Sequence, residues 1–250
     1  MALSSVKKEI NETAIISLVE ALPDELLANI VGKVATFSMA DLFKTTLSCK
    51  DFCKALEDPH VYQHAALDKF ALIPLAWFTS EKETMFLSRC REMGNLEIIY
   101  REGMVQYFST LMVNLGFDNL KNAALGGHHE AKYVYSMLLM ANAENGEERK
   151  LGFDLFGELK NSSCISLVSC RKRVQSFIKS MWLRNSVVVQ NQELSLCCSS
   201  TCQSGGGTEK VVKKHSLWRQ IDEFDNDVSF SCKYCDGNHE LGLFCKLFQV

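Results

Sequence analysis

The residues with the clearest chemical potential are cysteines crowded toward one end of the chain. Eleven occur in 250 residues, and six of them lie between Cys197 and Cys245. Cys232 and Cys235 are separated by two residues, a spacing that lets both sulfurs face one ion around a turn. Upstream, Cys197 with Cys202 (four residues between) or Cys198 with Cys202 (three between) provides a second pair. Zinc takes four ligands in a tetrahedron, and two such pairs supply them. His239 and Cys245 are further donors that replace an upstream cysteine or rim the site. Zinc is therefore the expected cofactor. Two other readings stay open. One is a set of reduced, partly buried thiols in a small β-hairpin, with cysteine acting as a small hydrophobe. The other is a redox Cys-x-x-Cys, although no βαβ pattern surrounds it.

No other constellation points to catalysis. His128-His129-Glu130 lacks the His-Glu-x-x-His spacing that puts two histidines on one helical face. Adjacent histidines project about 100° apart on a helix, so they read as surface residues at a repeat boundary. Gly205 to Lys210 lacks the Gly-Lys-Ser/Thr ending of a phosphate loop, and no Gly-x-Ser-x-Gly elbow occurs. His215 and His239 have no carboxylate and nucleophile beside them in the sequence. The expectation is a protein that is not an enzyme.

Composition narrows the class further. A net charge of −3 and a pI near 6.1 argue against a chain whose main partner is nucleic acid. Arg171-Lys172-Arg173 reads as a solvated helix face. Together with Lys210, Lys213 and Lys214 it carries the alternative of a zinc-dependent nucleic-acid-binding or regulatory protein. With 47% hydrophobic and 23% charged residues the chain is built for a packed core, not for disorder. Only 3 prolines occur, none beyond Pro74, which argues against a loop-rich β-protein. Met1 to Glu12 has no apolar run of the signal-peptide kind. The longest apolar stretch, Phe70 to Phe78, falls far short of the roughly 20 residues that span a bilayer. The expected setting is reducing and free of membrane, in the nucleus, the cytoplasm or both.

Helical elements must position these residues. Leu22-Pro23-Asp24-Glu25 places a proline and two acids at a helix start. Leu26, Leu27, Ile30, Val31 and Val34 follow at helical spacing. Ser38-Met39-Ala40-Asp41 is a capping box opening a second helix, a third runs through Phe52, Cys53 and Leu56, and Asp58-Pro59 starts a fourth. So small a helical group cannot cover all of its own apolar faces, and some of that surface should belong to a partner. Ser80 to Glu83 is another capping box. Gly94, Glu97, Tyr100 and Met104 then recur 33 residues later as Gly127, Glu130, Tyr133 and Met137. The same offset pairs Leu120 with Phe153, Ala123 with Phe156 and Ala124 with Gly157. A period in the thirties built of helical hairpins is the signature of a TPR-class unit. A longer helix is expected over Ser163 to Trp182, a short strand at Val187 to Val189, and a loop over Ser199 to Lys214.

The segment Leu22 to Leu56 resembles an F-box. The similarity rests on Leu22-Pro23-Asp24-Glu25-Leu26-Leu27, Ile30-Val31, Val34, Ser38, Asp41-Leu42 and Ser48-Cys49-Lys50-Asp51-Phe52. Phe52 stands where many F-boxes have tryptophan, and Gly32 to Phe37 is more polar than the usual version. With the degenerate Sel-like helical repeats and the Cys-rich end closing on Phe244-Cys245, the whole resembles a plant family of F-box proteins. The resemblance implies a mainly α fold, in which a three-helix F-box precedes helical-hairpin repeats and a small Cys-rich module. Its expected limits are a polar lead over 1–20, the F-box over 21–58, a helical region over 59–185 with the repeats at about 94–160, and the Cys-rich module over 186–250. It also implies a substrate-recognition adaptor of an SCF-type cullin–RING ubiquitin ligase. That adaptor docks on a Skp-family protein, with Leu22, Pro23, Leu26, Leu27, Ile30, Leu42, Cys49 and Phe52 at or beneath the docking surface. No target protein is implied.

Overall fold

The computed structural model describes residues 21–73, 79–141, 146–162, 166–187 and 232–248, with Val19 and Cys197. Eleven α-helices run through them, and there is no strand among the described residues. The fold is mainly α, as the helical spacing required. The chain divides into two compact units: residues up to Lys69 with Ser88–Asn95, and Phe70–Leu87 with Leu96 onward.

The first unit holds α1 (Asp24–Phe37), α2 (Met39–Ser48), α3 (Lys50–Ala55), α4 (Pro59–His64) and the last turns of α5 (Glu81–Glu92). Polar caps set the boundaries. Pro23 is the N-cap of α1 and not a first-turn residue, and its carbonyl accepts the Leu26 and Leu27 N–H groups at 3.0 and 3.1 Å. Ser38 closes α1 by donating its N–H to the Val34 carbonyl, and its Oγ accepts the Asp41 N–H at 3.2 Å to open α2. The Asp58 carboxylate caps α4 through the His60 N–H at 2.8 Å. Leu27, Val31 and Ala35 of α1 meet Leu42, Val61 and Leu67 in a small core. Burying a Leu or Val side chain contributes about 1.5–3 kcal/mol. Gly32 explains the departure at this point of the segment: a Cβ there would lie 2.7 Å from the His60 ring, so glycine makes room for α4. Asn95 ties the unit together by donating to the Tyr62 and Ala65 carbonyls at 2.9 and 3.1 Å.

The second unit contains the start of α5, then α6 (Leu96–Phe108), α7 (Val113–Leu125), α8 (His129–Ala141), α9 (Gly146–Asn161), α10 (Leu167–Lys179) and α11 (Lys233–Lys246). Ser80 and Glu83 form the expected reciprocal cap, with Ser80 N–H to Glu83 Oε2 at 2.9 Å and Glu83 N–H to Ser80 Oγ at 3.3 Å. The repeat is real in three dimensions. Helices α6 and α8 begin and end at the same offset of 33 residues, and α7 and α9 begin at it too. Tyr100 and Tyr133 are both buried, as are Met104 and Met137 and the offset pair Leu120 and Phe153. Gly94 and Gly127 both take positive φ, +77° and +101°, where only glycine is comfortable after a helix. Within a hairpin the helices approach closely: a Cβ on Gly116 of α7 would lie 2.4 Å from the Tyr107 backbone of α6.

One aromatic and aliphatic core fills this unit, with Phe108, Tyr133, Phe153, Phe156, Phe177 and Phe244 fully buried. Phe244 and Leu241 belong to α11, which packs on α8 and α9. The described cysteine-bearing end therefore shares the repeat core, whereas the sequence suggested a separate module over 186–250. Helix α10 ends at Lys179, and Trp182 lies beyond it as an exposed residue, so the expected Ser163–Trp182 helix is shortened at its C-terminal end. Val187 is not in a strand. Val188, Val189 and the loop Ser199 to Lys214 lie outside the described residues.

Candidate functional site

The first candidate lies on α1. Leu26 and Ile30 lie four residues apart and so share one face of α1, and Leu22 stands just before its N-cap Pro23. With Asn29 and Lys33 they wall a shallow groove. Leu26 is 49% and Ile30 41% exposed, unusual for aliphatic side chains in a helix this well packed on its other face. The eight residues singled out in the sequence divide into three sets. Leu22, Pro23, Leu26 and Ile30 are on the surface, while Leu27 and Leu42 are buried core residues at 3% and 0% exposure. Cys49 and Phe52 are half-buried at the start of α3, where the Cys49 sulfur accepts the Phe52 N–H at 3.5 Å. Three exposed apolar residues escaped the sequence reading as surface features: Phe37, Phe43 and Leu47. Their signal was present in α2, where Met39, Leu42 and Thr46 define the buried face and leave Phe43 and Leu47 off it.

The second candidate is the thiol cluster. Cys232 is the N-cap of α11 and Cys235 lies in its first turn. The sulfurs of Cys197, Cys232 and Cys235 all fall within 4.8 Å of one another, and Cys232 Sγ is 3.7 Å from Cys197 Sγ. The Cys235 backbone N–H aimed at its sulfur lowers the Cys232 thiol to about 7, helped by the Tyr234 N–H and the neighbouring thiols. Thiols at helix N-termini behave this way because free N–H groups stabilise the thiolate. The Cys-x-x-Cys thus sits on a helix start and not in a hairpin. Cys245 does not join the cluster: it packs against the hydrophobic core, and burial raises its thiol. Ten residues separate it from Cys235, a rise of about 15 Å along a helix. His239 is exposed, one turn beyond Cys235. Cys198 and Cys202 lie outside the described residues.

A polar network crosses the repeat core and corrects two expectations. His128 and His129 are half-buried and not surface residues. His128 Nε2 lies 2.8 Å from Glu97 Oε2, its ring stacks on Tyr100, and Glu130 is buried. Arg101 donates to Glu97 at 2.7 Å, and Arg173 reaches Glu97 at 3.4 Å and Glu130 at 3.1 Å. Burial alone would raise the Glu97 carboxyl, yet the hydrogen bond from His128 and the charge of Arg101 hold it at about 2. Nor is the basic run a merely solvated face. Arg171 holds the buried Glu240, which also accepts the Tyr133 hydroxyl at 2.8 Å. Burial, reinforced by the Glu240 charge, pushes the Tyr133 hydroxyl well above the ordinary phenol value. Two of the three basic residues are therefore committed to ion pairs with the chain's own acids, Arg171 from a half-buried position and Arg173 from the surface, which weakens the nucleic-acid alternative. Lys210, Lys213 and Lys214 lie outside the described residues. The clue to the buried acids was the repeat itself, because Glu97 and Glu130 occupy the same register.

Comparison with known proteins agrees with this division of the chain. Residues 70–179, from the start of the second unit through α10, match the family model described as plant tetratrico peptide repeats. The F-box protein At2g35280 of Arabidopsis thaliana is 31% identical over 132 residues, which is 53% of this chain and 79% of that protein. At1g67623, from the same plant, is 25% identical over 238 residues, covering 93% of this chain and 77% of its own. The Arabidopsis F-box protein At1g67340 is 28% identical over 137 residues, 54% of this chain but only 36% of the relative. No solved structure matches significantly.

Proposed function

The chain belongs to the plant F-box protein family, and from that premise we propose that it is a substrate-recognition adaptor of an SCF-type cullin–RING ubiquitin ligase. The observation that carries this reading is the exposed apolar stripe of Leu26 and Ile30 on α1, with Leu22 just ahead of its N-cap. A helix that buries one face in its own core and leaves a second apolar stripe in water is suited to a partner's groove. In this reading the partner is a Skp-family protein, with Leu27 and Leu42 holding the stripe in place from beneath. The repeat unit, or the segment that carries the cysteines, selects the protein to be modified.

The chain supplies no reacting group in this account. It holds a target beside the charged conjugating enzyme, and the raised effective concentration accelerates transfer carried out by other subunits. Such a role places the protein in the nucleus or cytoplasm. Among the described residues no helix is long and apolar enough to cross a membrane. Capture of the full chain on an immobilised Skp-type adaptor tests the reading. Wild type is retained, and a Leu26→Asp, Ile30→Asp variant with an unchanged helical spectrum is not. Equal retention of the two, or none of either, would contradict it.

A further inference from the structure

We infer that Cys197, Cys232 and Cys235 bind one zinc ion as thiolates, in a structural site that pins residue 197 to the N-terminus of α11. The inference is independent of the adaptor reading. Its first support is metrical. Zinc–thiolate bonds of about 2.3 Å in a tetrahedron place neighbouring sulfurs about 3.8 Å apart. The Cys232 and Cys197 sulfurs are 3.7 Å apart, and the third sulfur lies within 4.8 Å of both. That separation is far longer than the 2.05 Å of a disulfide, and three thiols at one point cannot pair off by twos.

The second support is contrast with the other described thiols, of which Cys53 simply stands exposed on α3. Cys90 and Cys170 are fully buried, Cys245 packs on the core, and Cys49 caps α3. Each of these four has a packing or capping role that needs no ion. The three clustered cysteines come from segments 35 residues apart and converge at their sulfurs. Cys232 and Cys235 are held by the first turn of α11, whose far end is anchored in the core by Leu241 and Phe244. Two ligands on a rigid element form a preorganised half-site, and the third closes it. Binding is an acid–base exchange without redox change: each thiol gives its proton to solvent as its sulfur donates a lone pair to the ion. A soft sulfur donor set selects zinc over magnesium or calcium, and one further donor completes the tetrahedron.

Elemental analysis of the full chain, purified under reducing conditions, tests the site. About one zinc per chain is expected. Less than about a tenth should remain in a Cys232→Ser, Cys235→Ser variant, and a full complement in Cys245→Ser. To separate loss of metal from loss of structure in the double variant, cobalt is also titrated into the metal-stripped wild type. Intense thiolate-to-cobalt charge-transfer bands and tetrahedral visible bands should appear together and saturate at one equivalent. Near-zero zinc in the reduced wild type without such bands, zinc fully retained in the double variant, or a Cys197–Cys232 disulfide in the native protein would each overturn the inference.

Discussion

Arg171 grips Glu240 with two parallel hydrogen bonds, Nε to Oε1 at 2.7 Å and a terminal guanidinium nitrogen to Oε2 at 2.6 Å. The pair spans 69 residues and fastens α11 to α10, while Tyr133 of α8 donates to the same carboxylate. Glu240 is 3% exposed, so removing its partner would strand a charge in the core. Breaking a buried pair of this kind costs about 3–5 kcal/mol. Arg171→Met should lower the stability of the protein by that amount in urea unfolding. Arg171→Lys should recover only part of it, because an ammonium cannot match the planar fork. An Arg171→Met protein as stable as wild type would show that the pair does not hold α11.

The second prediction concerns pH. The Glu97 carboxyl is depressed to about 2 from an ordinary 4.5. A depressed carboxyl stabilises the folded state fully above its unfolded value, and the contribution disappears as pH falls through the folded value. Stability should therefore decline between about pH 4.5 and pH 2, with a loss on the order of a few kcal/mol attributable to this residue. Melting temperature against pH should show that decline in wild type and a shallower one in Glu97→Gln.

Two kinds of glycine in the repeats should respond differently to alanine. At Gly127 a Cβ would meet nothing within 4 Å, but φ is +101°. Gly127→Ala should cost only the backbone penalty of about 1–2 kcal/mol. At Gly116 the Cβ would lie 2.4 Å from the Tyr107 backbone and force α6 and α7 apart. Gly116→Ala should be the more damaging of the two, and denaturant midpoints give the ranking directly.

Metal removal makes a fourth prediction. The proposed zinc clip between residues 197 and 232, whose sulfurs lie 3.7 Å apart, would close a loop of 35 residues. Opening a loop of that length releases about 4 kcal/mol of chain entropy. For a chain of this size that corresponds to a fall in Tm of about 8–16 °C. Thermal melts with and without a strong chelator should differ by that margin, and readdition of zinc should restore the higher value.

Much of this architecture is legible residue by residue. Caps such as Ser38 with Asp41 and Ser80 with Glu83 are local, so three or four consecutive residues suffice to place them. The repeat is equally readable, since Gly94 and Gly127 mark the same helix end twice. Long-range electrostatics is not. Arg171-Lys172-Arg173 looks solvated until the fold brings Glu240 and Glu97 opposite its two arginines. His128 looks exposed for the same reason, its acceptor Glu97 lying one repeat away. On α1, Leu26 and Leu27 are indistinguishable as letters, yet neighbouring positions on a helix face about 100° apart, and only packing decides which is buried. The thiol site was half legible: the Cys232–Cys235 spacing points to a chelate, whereas the approach of Cys197 and the withdrawal of Cys245 are consequences of tertiary packing.

The central claim is that the α1 stripe is a docking surface for a Skp-family protein, and the most direct test is a binding titration with the purified adaptor. An aspartate in place of an aliphatic side chain at an interface centre both removes its packing and buries an unpaired charge, a combined cost of about 3 kcal/mol or more for two such changes. Leu26→Asp, Ile30→Asp should therefore weaken binding by at least about 100-fold relative to wild type. Arg171→Lys, whose change lies in the repeat unit, should bind the adaptor as wild type does. Unchanged affinity in the Leu26 and Ile30 variant, or no measurable affinity in wild type, would contradict the account.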